Sequence, residues 1–443
     1  MSTLYKNKHR YPGPIWLYRY IFAFSLAAIN LFPYKTQAKA NDQDKSVENL
    51  ISQFYKLRER KLFWFTNETG AGLLRQELIT QIEQCDLKGL NKADYDLQGL
   101  KDRLYLNDSS QAGKEAADRL YTHEAFLLIQ DLTTRETSNN FSYDELSSKY
   151  ATKDNKRALD VLGTGTDFRK LQRNLAALTP SNAAYAKLLN TLYLKSLATG
   201  NEDTIRQLKD ALNNYRWIFH FHLPRCIVVN IASATLNYFE GDSLLLSMKV
   251  VAGKPSTPTP RFVAYCDKLV LYPYWNVPQS IAVHEILPAC KKAPGILEFL
   301  NIQVINSKGK MIDPKNIDWK KITAKNLPYH FRQSTGCDNA LGVIKFNLTD
   351  PYSVYLHDTN AKFAFGSTKR YLSHGCIRIE HPIALANYIS GQIVDSSFLQ
   401  KCIRNQQPVT QTVTSPVPVF VVYQTADLND GEIFFYEDIY QLR

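Results

Sequence analysis

The chain has 443 residues, 44% hydrophobic and 21% charged, a globular composition with length for two or three domains, which excludes a disordered polypeptide. Of the formal charge of +11, six positive charges fall in the first forty residues, where there is no Asp or Glu, leaving a mild excess of +5. No RNA- or DNA-binding motif accompanies that excess, so nucleic acid is not an expected partner. An anionic polymer or a membrane surface suits the balance better.

At the N-terminus, Lys6, Lys8 and Arg10, extended by Arg19, precede a largely apolar run from Tyr20 to Phe32, and Ala38-Lys39-Ala40 offers an A-x-A-like cleavage site. This is the order of an export signal. The thirteen-residue run is short against the roughly 20 residues of a membrane span. An uncleaved anchor is the competing expectation, since Ile15 to Leu17 lengthen the apolar segment. Residues 1–40 are therefore expected to be a signal peptide or an N-terminal anchor, with membrane association in the second case.

From Asp42 to Trp217 the pattern is helical. Val47, Leu50, Ile51, Phe54 and Leu57 recur at three- and four-residue spacings, as do Leu73, Leu74, Leu78, Ile79 and Ile82. Further helices are expected at 91–104, 111–131, 156–178, 183–199 and 203–214. Pro180 marks a break, and Ser181 or Asn182 suits an N-cap. Nothing in this half clusters His, Cys or paired carboxylates at a chemically suggestive spacing, so residues 41–217 read as a helical scaffold.

Near Arg225 the texture changes to short β-branched runs: Cys226 to Ile231, Ala234 to Phe239, Leu244 to Val251, Phe262 to Leu271, Ile302 to Ile305 and Val343 to Leu348, with Val417 to Tyr423 returning to strand. Gly241-Asp242 suits a hairpin turn, and Pro255, Pro258 and Pro260 mark a loop. Residues 284–342, rich in Lys and Asn, interrupt the strands and are expected to form a cap or lid over a site, with a plain surface elaboration as the alternative. Pro382 to Ser390 and Ser397 to Arg404 read as short helices. The fold class is α+β, with the β-rich domain spanning 226–443.

The seven cysteines, Cys85, Cys226, Cys266, Cys290, Cys337, Cys376 and Cys402, fit no CxxC or zinc-finger spacing. Most read as small buried hydrophobes. Cys376 differs, because Ser373, His374 and Arg378 crowd it with polar groups and Gly375 permits close approach of another backbone. A zinc site using His357, His374, Cys376 and His381 matches no familiar ligand spacing. A redox thiol lacks a nearby resolving partner, Cys402 lying twenty-six residues on. Nucleophilic catalysis remains the strongest reading.

A free thiol has a pKa of about 8.5 and needs a base. His357 and His374 are the candidates. His357, in Tyr355-Leu356-His357-Asp358-Thr359, ends a strand-like run and can approach the sulfur from a neighbouring strand, while His374 is a local neighbour. A backbone carbonyl or carboxylate near Asp358 would hold the other ring nitrogen of His357. The N–H groups of Gly375 and Cys376 would receive an oxyanion. The pattern predicts acyl transfer through a thioester.

The segment from His357 to Ser373-His374-Gly375-Cys376-Ile377-Arg378 resembles the signature of the YkuD-type L,D-transpeptidases, which build or remodel bacterial peptidoglycan. Pro273-Tyr274-Trp275-Asn276-Val277-Pro278, Arg332-Gln333, Asn339-Ala340-Leu341-Gly342, Lys345-Phe346 and the tail from Pro418 to Tyr440 resemble the large, YcbB-like branch, and the helical half does so more weakly. The resemblance implies Cys376 as nucleophile and His357 as base. It implies Tyr355, Asp358, Ser373, His374, Gly375 and Arg378 around them, Trp275, Asn276 and Arg332 as substrate contacts, and no cofactor or metal. It further implies a periplasmic enzyme acting on peptidoglycan tetrapeptide stems, with release of D-alanine and formation of 3→3 crosslinks, and acylation by carbapenems. Hydrolysis by an L,D-carboxypeptidase or amidase, and a catalytically silent wall-binding scaffold, are the alternatives. Two departures stand out. The glycine-rich peptidoglycan-binding module of many relatives is missing from 180–215, and Ser334-Thr335-Gly336-Cys337 replaces the proline that precedes the cap glycine in the family.

Overall fold

The structure is a computed structural model and describes residues 32–66, 68–105, 110–133, 140–197, 201–391 and 394–442. The basic and apolar segment before Phe32 lies outside the described residues. Among those described, no helix is long and apolar enough to cross a membrane.

Among the described residues, the periodicity before residue 217 folds as eight α-helices: α1 (Phe32–Leu57), α2 (Ala71–Glu83), α3 (Leu97–Asp102), α4 (Gln111–Thr133), α5 (Ser147–Gly163), α6 (Phe168–Ala176), α7 (Ala183–Leu197) and α8 (Glu202–Phe219). Val47, Leu50, Ile51 and Phe54 of α1 pack with Leu78, Ile79 and Ile82 of α2 and Tyr121, Ala125 and Phe126 of α4 in one core. Leu57 and Leu73 do not join it; they are 73% and 58% exposed, because α1 ends at Leu57 and Leu73 faces away from the Leu74/Leu78 row. The single helix expected over 156–178 is two, since Gly163 and Gly165 weaken its middle and Asp167 starts α6 by accepting the N–H of Lys170. After Pro180, Asn182 makes the cap, accepting from the N–H groups of Ala184 and Tyr185.

One buried carboxylate organises this half. Asp118 of α4 accepts the backbone N–H groups of Phe63, Trp64 and Phe65 and the hydroxyl of Tyr55, folding the segment after α1 back onto the core.

The strands are β1 (Tyr143–Asp144), β2 (Arg225–Asn230), β3 (Thr235–Glu240), β4 (Ser243–Gly253), β5 (Phe262–Leu271), β6 (Trp275–Asn276), β7 (Ile302–Asn306), β8 (Met311–Ile312), β9 (Tyr329–Gln333), β10 (Ile344–Leu348), β11 (Tyr355–His357), β12 (Tyr371–Ser373), β13 (Ile377–Ile379), β14 (Val409–Val422), β15 (Ala426–Asn429) and β16 (Glu432–Phe435). The main sheet runs β1-β5-β10-β11-β13-β4-β3-β2-β14, and β14 also pairs with β5, so the path returns close to its start and encloses an apolar core. β14 begins at Val409, eight residues before the expected strand, because its polar first half is exposed and carries no apolar signal. The helix expected over 397–404 is shorter, Ser396–Gln400.

Two features tie the halves together. Trp217 and Phe219 of α8 pack with Phe221, Val228, Phe239 and Phe420, while Tyr215 and Asn230 both bond the buried Asp427. β1, which belongs to the helical half by sequence, pairs in parallel with β5 at the edge of the main sheet. A second, antiparallel sheet, β6-β9-β7-β8, has its own core of Ile281, Leu287, Leu297, Val304, Trp319 and Phe331. It starts at Trp275, upstream of the Lys- and Asn-rich stretch, and a Cys337–Cys402 disulfide ties the chain leaving it to the segment after Ser396–Gln400. These two cysteines are therefore not free buried hydrophobes, whereas Cys85, Cys226, Cys266 and Cys290 are.

Candidate active site

Cys376 occupies the turn between β12 and β13, and β11 lies beside β13 in parallel register, with His357 opposite Arg378. Residues nineteen apart in sequence thus arrive on neighbouring strands. The turn needs Gly375 for its backbone, φ being +118°, a region that L side chains rarely adopt. The expected close approach of another backbone is not the reason, because a Cβ there would meet only the Pro258 carbonyl at 3.9 Å. Ser373 braces the turn: its Oγ donates to the Cys376 carbonyl (2.6 Å) and accepts the Gly375 N–H (3.1 Å). The proline-marked loop adds Thr259, whose Oγ1 donates to the Gly375 carbonyl at 2.8 Å, and Thr257, which donates to that of Ser373 at 3.1 Å.

His357 is 5% exposed, and its Nδ1 lies 2.5 Å from the Asp358 carbonyl oxygen. A carbonyl only accepts, so Nδ1 carries the proton and Nε2 keeps its lone pair. Burial, with the positive charges of Arg378 and Lys345, lowers the His357 pKa to about 3, and the imidazole is neutral at neutral pH. Burial also pushes the Cys376 thiol up, and the nearby Asp350 adds to the effect, while the N–H and hydroxyl of Tyr355 and the Lys345 ammonium oppose it. The resting pair is a thiol and a neutral imidazole. The sulfur lies 3.9 Å from the Ser353 carbonyl oxygen.

Tyr355 stands edge-on to His357 with ring centroids 5.6 Å apart, and Lys345 Nζ sits 4.1 Å from its ring centroid. Arg378, on β13, shares its field with the Cys376 sulfur. Asp358 contributes its carbonyl; its carboxylate turns to the Val343 N–H and the Lys362 ammonium. The Gly375 N–H is engaged by Ser373, so it is not free for an oxyanion as expected, and the Cys376 N–H remains the candidate donor. His374 points to the helical segment Ala282–Ile286 that packs on the small sheet, its Nε2 being 2.8 Å from Glu285 Oε1.

Trp275, Asn276 and Arg332 come together in the small sheet, Trp275 opposite Gln333 and Asn276 opposite Arg332. Arg332 is bonded to Gln303 Oε1 at 2.8 and 3.0 Å, with its guanidinium 4.4 Å from the Tyr274 ring centroid. Trp275 packs against the core of that sheet. His381 lies 3.6 Å from Glu380. Among the described residues no three His, Cys, Asp or Glu side chains converge as metal ligands. Sequence reasoning missed Glu285 and Thr259, which lie far from the signature, and Asp350, just upstream of it, none of which carries a periodic signal; Lys345 was legible only as part of a resemblance.

The fold is a helical scaffold domain followed by a β-rich domain of the YkuD type. Residues 224–419 match the family model of the YkuD L,D-transpeptidase catalytic domain, and residues 49–192 match that of the Scaffold domain. A Haemophilus influenzae relative classed by name as an L,D-transpeptidase is 32% identical over 269 residues, 60% of this chain and 54% of that protein. The chain thus spans about half the length of this curated relative. Among solved structures, an L,D-transpeptidase from Mycobacterium smegmatis matches at 17% identity over 45% of this chain and 58% of its own, with a TM-score of 0.20. One from Enterococcus faecium matches at 13% identity over 45% and 50%, with a TM-score of 0.21.

Proposed function

We propose that this protein is a peptidoglycan L,D-transpeptidase that forms 3→3 crosslinks through a Cys376 thioester. The observation that carries the reading is a partly exposed thiol just before β13 and, on the adjoining strand β11, a buried imidazole whose Nδ1–H is held by the Asp358 carbonyl, leaving Nε2 as its basic nitrogen. Neither ion is stabilised at rest, so the proton leaves the thiol for His357 as sulfur attacks the donor carbonyl. The C–N bond to the terminal D-alanine then breaks, and the imidazolium returns its proton to the leaving amine. In the second half, the side-chain amine of another stem attacks the thioester and His357 relays its proton to the departing sulfur. Lys345 and Arg378 near the sulfur suit a donor rich in carboxylates. The small sheet, with the helical segment Ala282–Ile286 packed on it and joined to the nucleophile turn through Glu285 and His374, suits the role of a substrate cap. Carbapenem acylation follows from the same chemistry: attack on the lactam carbonyl opens the ring and leaves a thioester.

Action outside the cytoplasmic membrane is part of this proposal; the Cys337–Cys402 disulfide fits an oxidising compartment. The test is incubation of the purified protein with disaccharide-tetrapeptides, followed by mass spectrometry. Crosslinked dimers that disappear in Cys376→Ala support the reading. Tripeptides alone would assign hydrolysis instead, and identical products from both proteins would end the enzyme reading.

A further inference from the structure

The helical half reaches the nucleophile by a short covalent and hydrogen-bonded route. β1 is seated on β5 by the Ser142 N–H to the Arg261 carbonyl (3.0 Å) and the Glu145 N–H to that of Val263 (3.2 Å). From there two side-chain bonds cross to the turn that precedes β11. The Tyr352 hydroxyl donates to the Ser142 carbonyl at 2.7 Å, and the Thr349 hydroxyl donates to Glu145 Oε2 at 2.5 Å while accepting the Tyr265 N–H at 2.9 Å.

The turn so held is not a relaxed one. Asp350 Oδ1 gathers the N–H groups of Tyr352 (2.8 Å) and Val354 (3.2 Å), and Ser353 is forced to φ +57°, uncommon for a residue with a side chain. That conformation aims the Ser353 carbonyl at Cys376 Sγ, 3.9 Å away. Asp350 Oδ2 is buried and has no hydrogen-bond partner among the described residues. An uncompensated carboxylate oxygen is thus kept in the neighbourhood of the nucleophile.

We propose that β1, through Tyr352 and Thr349, clamps the Asp350–Val354 turn against Cys376 and holds its sulfur as a thiol until substrate binds, which makes Tyr352 a positioning residue. The Ser353 carbonyl accepts from S–H and has nothing to offer a thiolate, and the Asp350 charge repels one. The groups that favour the thiolate come from other elements: Lys345 on β10, the N–H and hydroxyl of Tyr355 on β11, and Arg378 on β13. His357 is neutral, and His374 faces Glu285. Loosening the turn removes only thiol-favouring influences, so the sulfur should ionise at lower pH. The inference rests on Cys376 being the nucleophile, and the scaffold becomes part of the active site.

The experiment is the pH dependence of iodoacetamide alkylation at Cys376 in the full-length protein, read by peptide mass mapping, with melting temperature recorded alongside. Thr349→Val/Tyr352→Phe should move the alkylation midpoint down by about half a pH unit or more. Asp350→Asn keeps an acceptor for the two N–H groups and removes the charge, and should move it in the same direction. A midpoint in the double variant that stays put or rises overturns the clamp, even if melting temperature falls. Should the double variant not fold, Tyr352→Phe alone carries the same test. A wild-type protein that alkylates normally but forms no acyl adduct with tetrapeptide would sink the transpeptidase reading and leave this result to stand separately.

Discussion

His374 Nε2 and Glu285 Oε1 lie 2.8 Å apart and join the nucleophile turn to the helical segment Ala282–Ile286 on the small sheet. Both side chains are well exposed, at 37% and 54%, so the pair contributes at most about 1 kcal/mol to stability. Its consequence should be positional. Glu285→Ala is expected to leave the melting temperature nearly unchanged and to raise KM for tetrapeptide roughly 3- to 10-fold, with kcat little altered. Steady-state kinetics decide this; a drop in kcat at constant KM would mean that the contact serves the chemistry rather than the cap.

His357 should also mark the pH dependence of folding. Its pKa is about 3 in the folded chain, against 6.5 for an ordinary imidazole. Between those values the unfolded chain binds a proton that the folded chain does not, so the stability from this group is complete above about pH 6.5 and is lost as pH falls toward 3. Urea unfolding of wild type should therefore weaken by about 1 kcal/mol more per pH unit, from about pH 6 to 4, than that of His357→Gln. Parallel curves would mean that the imidazole is not buried in its neutral form.

Thiol counting separates the cysteines by role. Of the seven, two form the Cys337–Cys402 bridge, four are buried and free, and Cys376 alone among the free ones is partly exposed. Ellman's reagent should titrate one thiol in the native protein, five after unfolding and seven after reduction. Cys337→Ser/Cys402→Ser, which opens a link across 65 residues, should lower stability by about 2–4 kcal/mol. A native count above one would show that the bridge or the burial is wrong.

The parts legible in the sequence were those with a local signature. The Val47/Leu50/Ile51/Phe54 stripe marked a buried helix face, and the β-branched runs from Cys226 onward marked strands whose ends, the start of β14 apart, are off by only a few residues. Cys376 and His357 stood out because a nucleophile requires unusual neighbours within a few positions. What stayed hidden depends on contacts across the fold. Nothing around Asp144 suggests a strand that adds to a sheet more than a hundred residues later, and nothing around Asp350 or Glu285 announces a role at a distant cysteine. The polar first half of β14 was illegible for a related reason: its pairing with β5 is made by backbone, which any side chain can accompany.

Asp118 gives the sharpest stability test, because its role is also non-local. Its two carboxylate oxygens take three consecutive backbone N–H groups, from Phe63, Trp64 and Phe65, and the Tyr55 hydroxyl, all at 3.1 Å or less. It is fully buried, so no water stands ready to replace a lost partner. Asp118→Asn substitutes an N–H donor for one of those oxygens, leaves at least one buried donor unsatisfied, and should cost about 3 kcal/mol. The expected readout is a lower denaturant midpoint, with the helical half unfolding first if the halves separate. Because β1 continues from this half into the edge of the main sheet, Cys376 alkylation should change once that unfolding begins and not before. A variant as stable as wild type would mean that the segment after α1 is held by its aromatic packing, Phe54 against Phe63 and Trp64 against Tyr121, rather than by the anion.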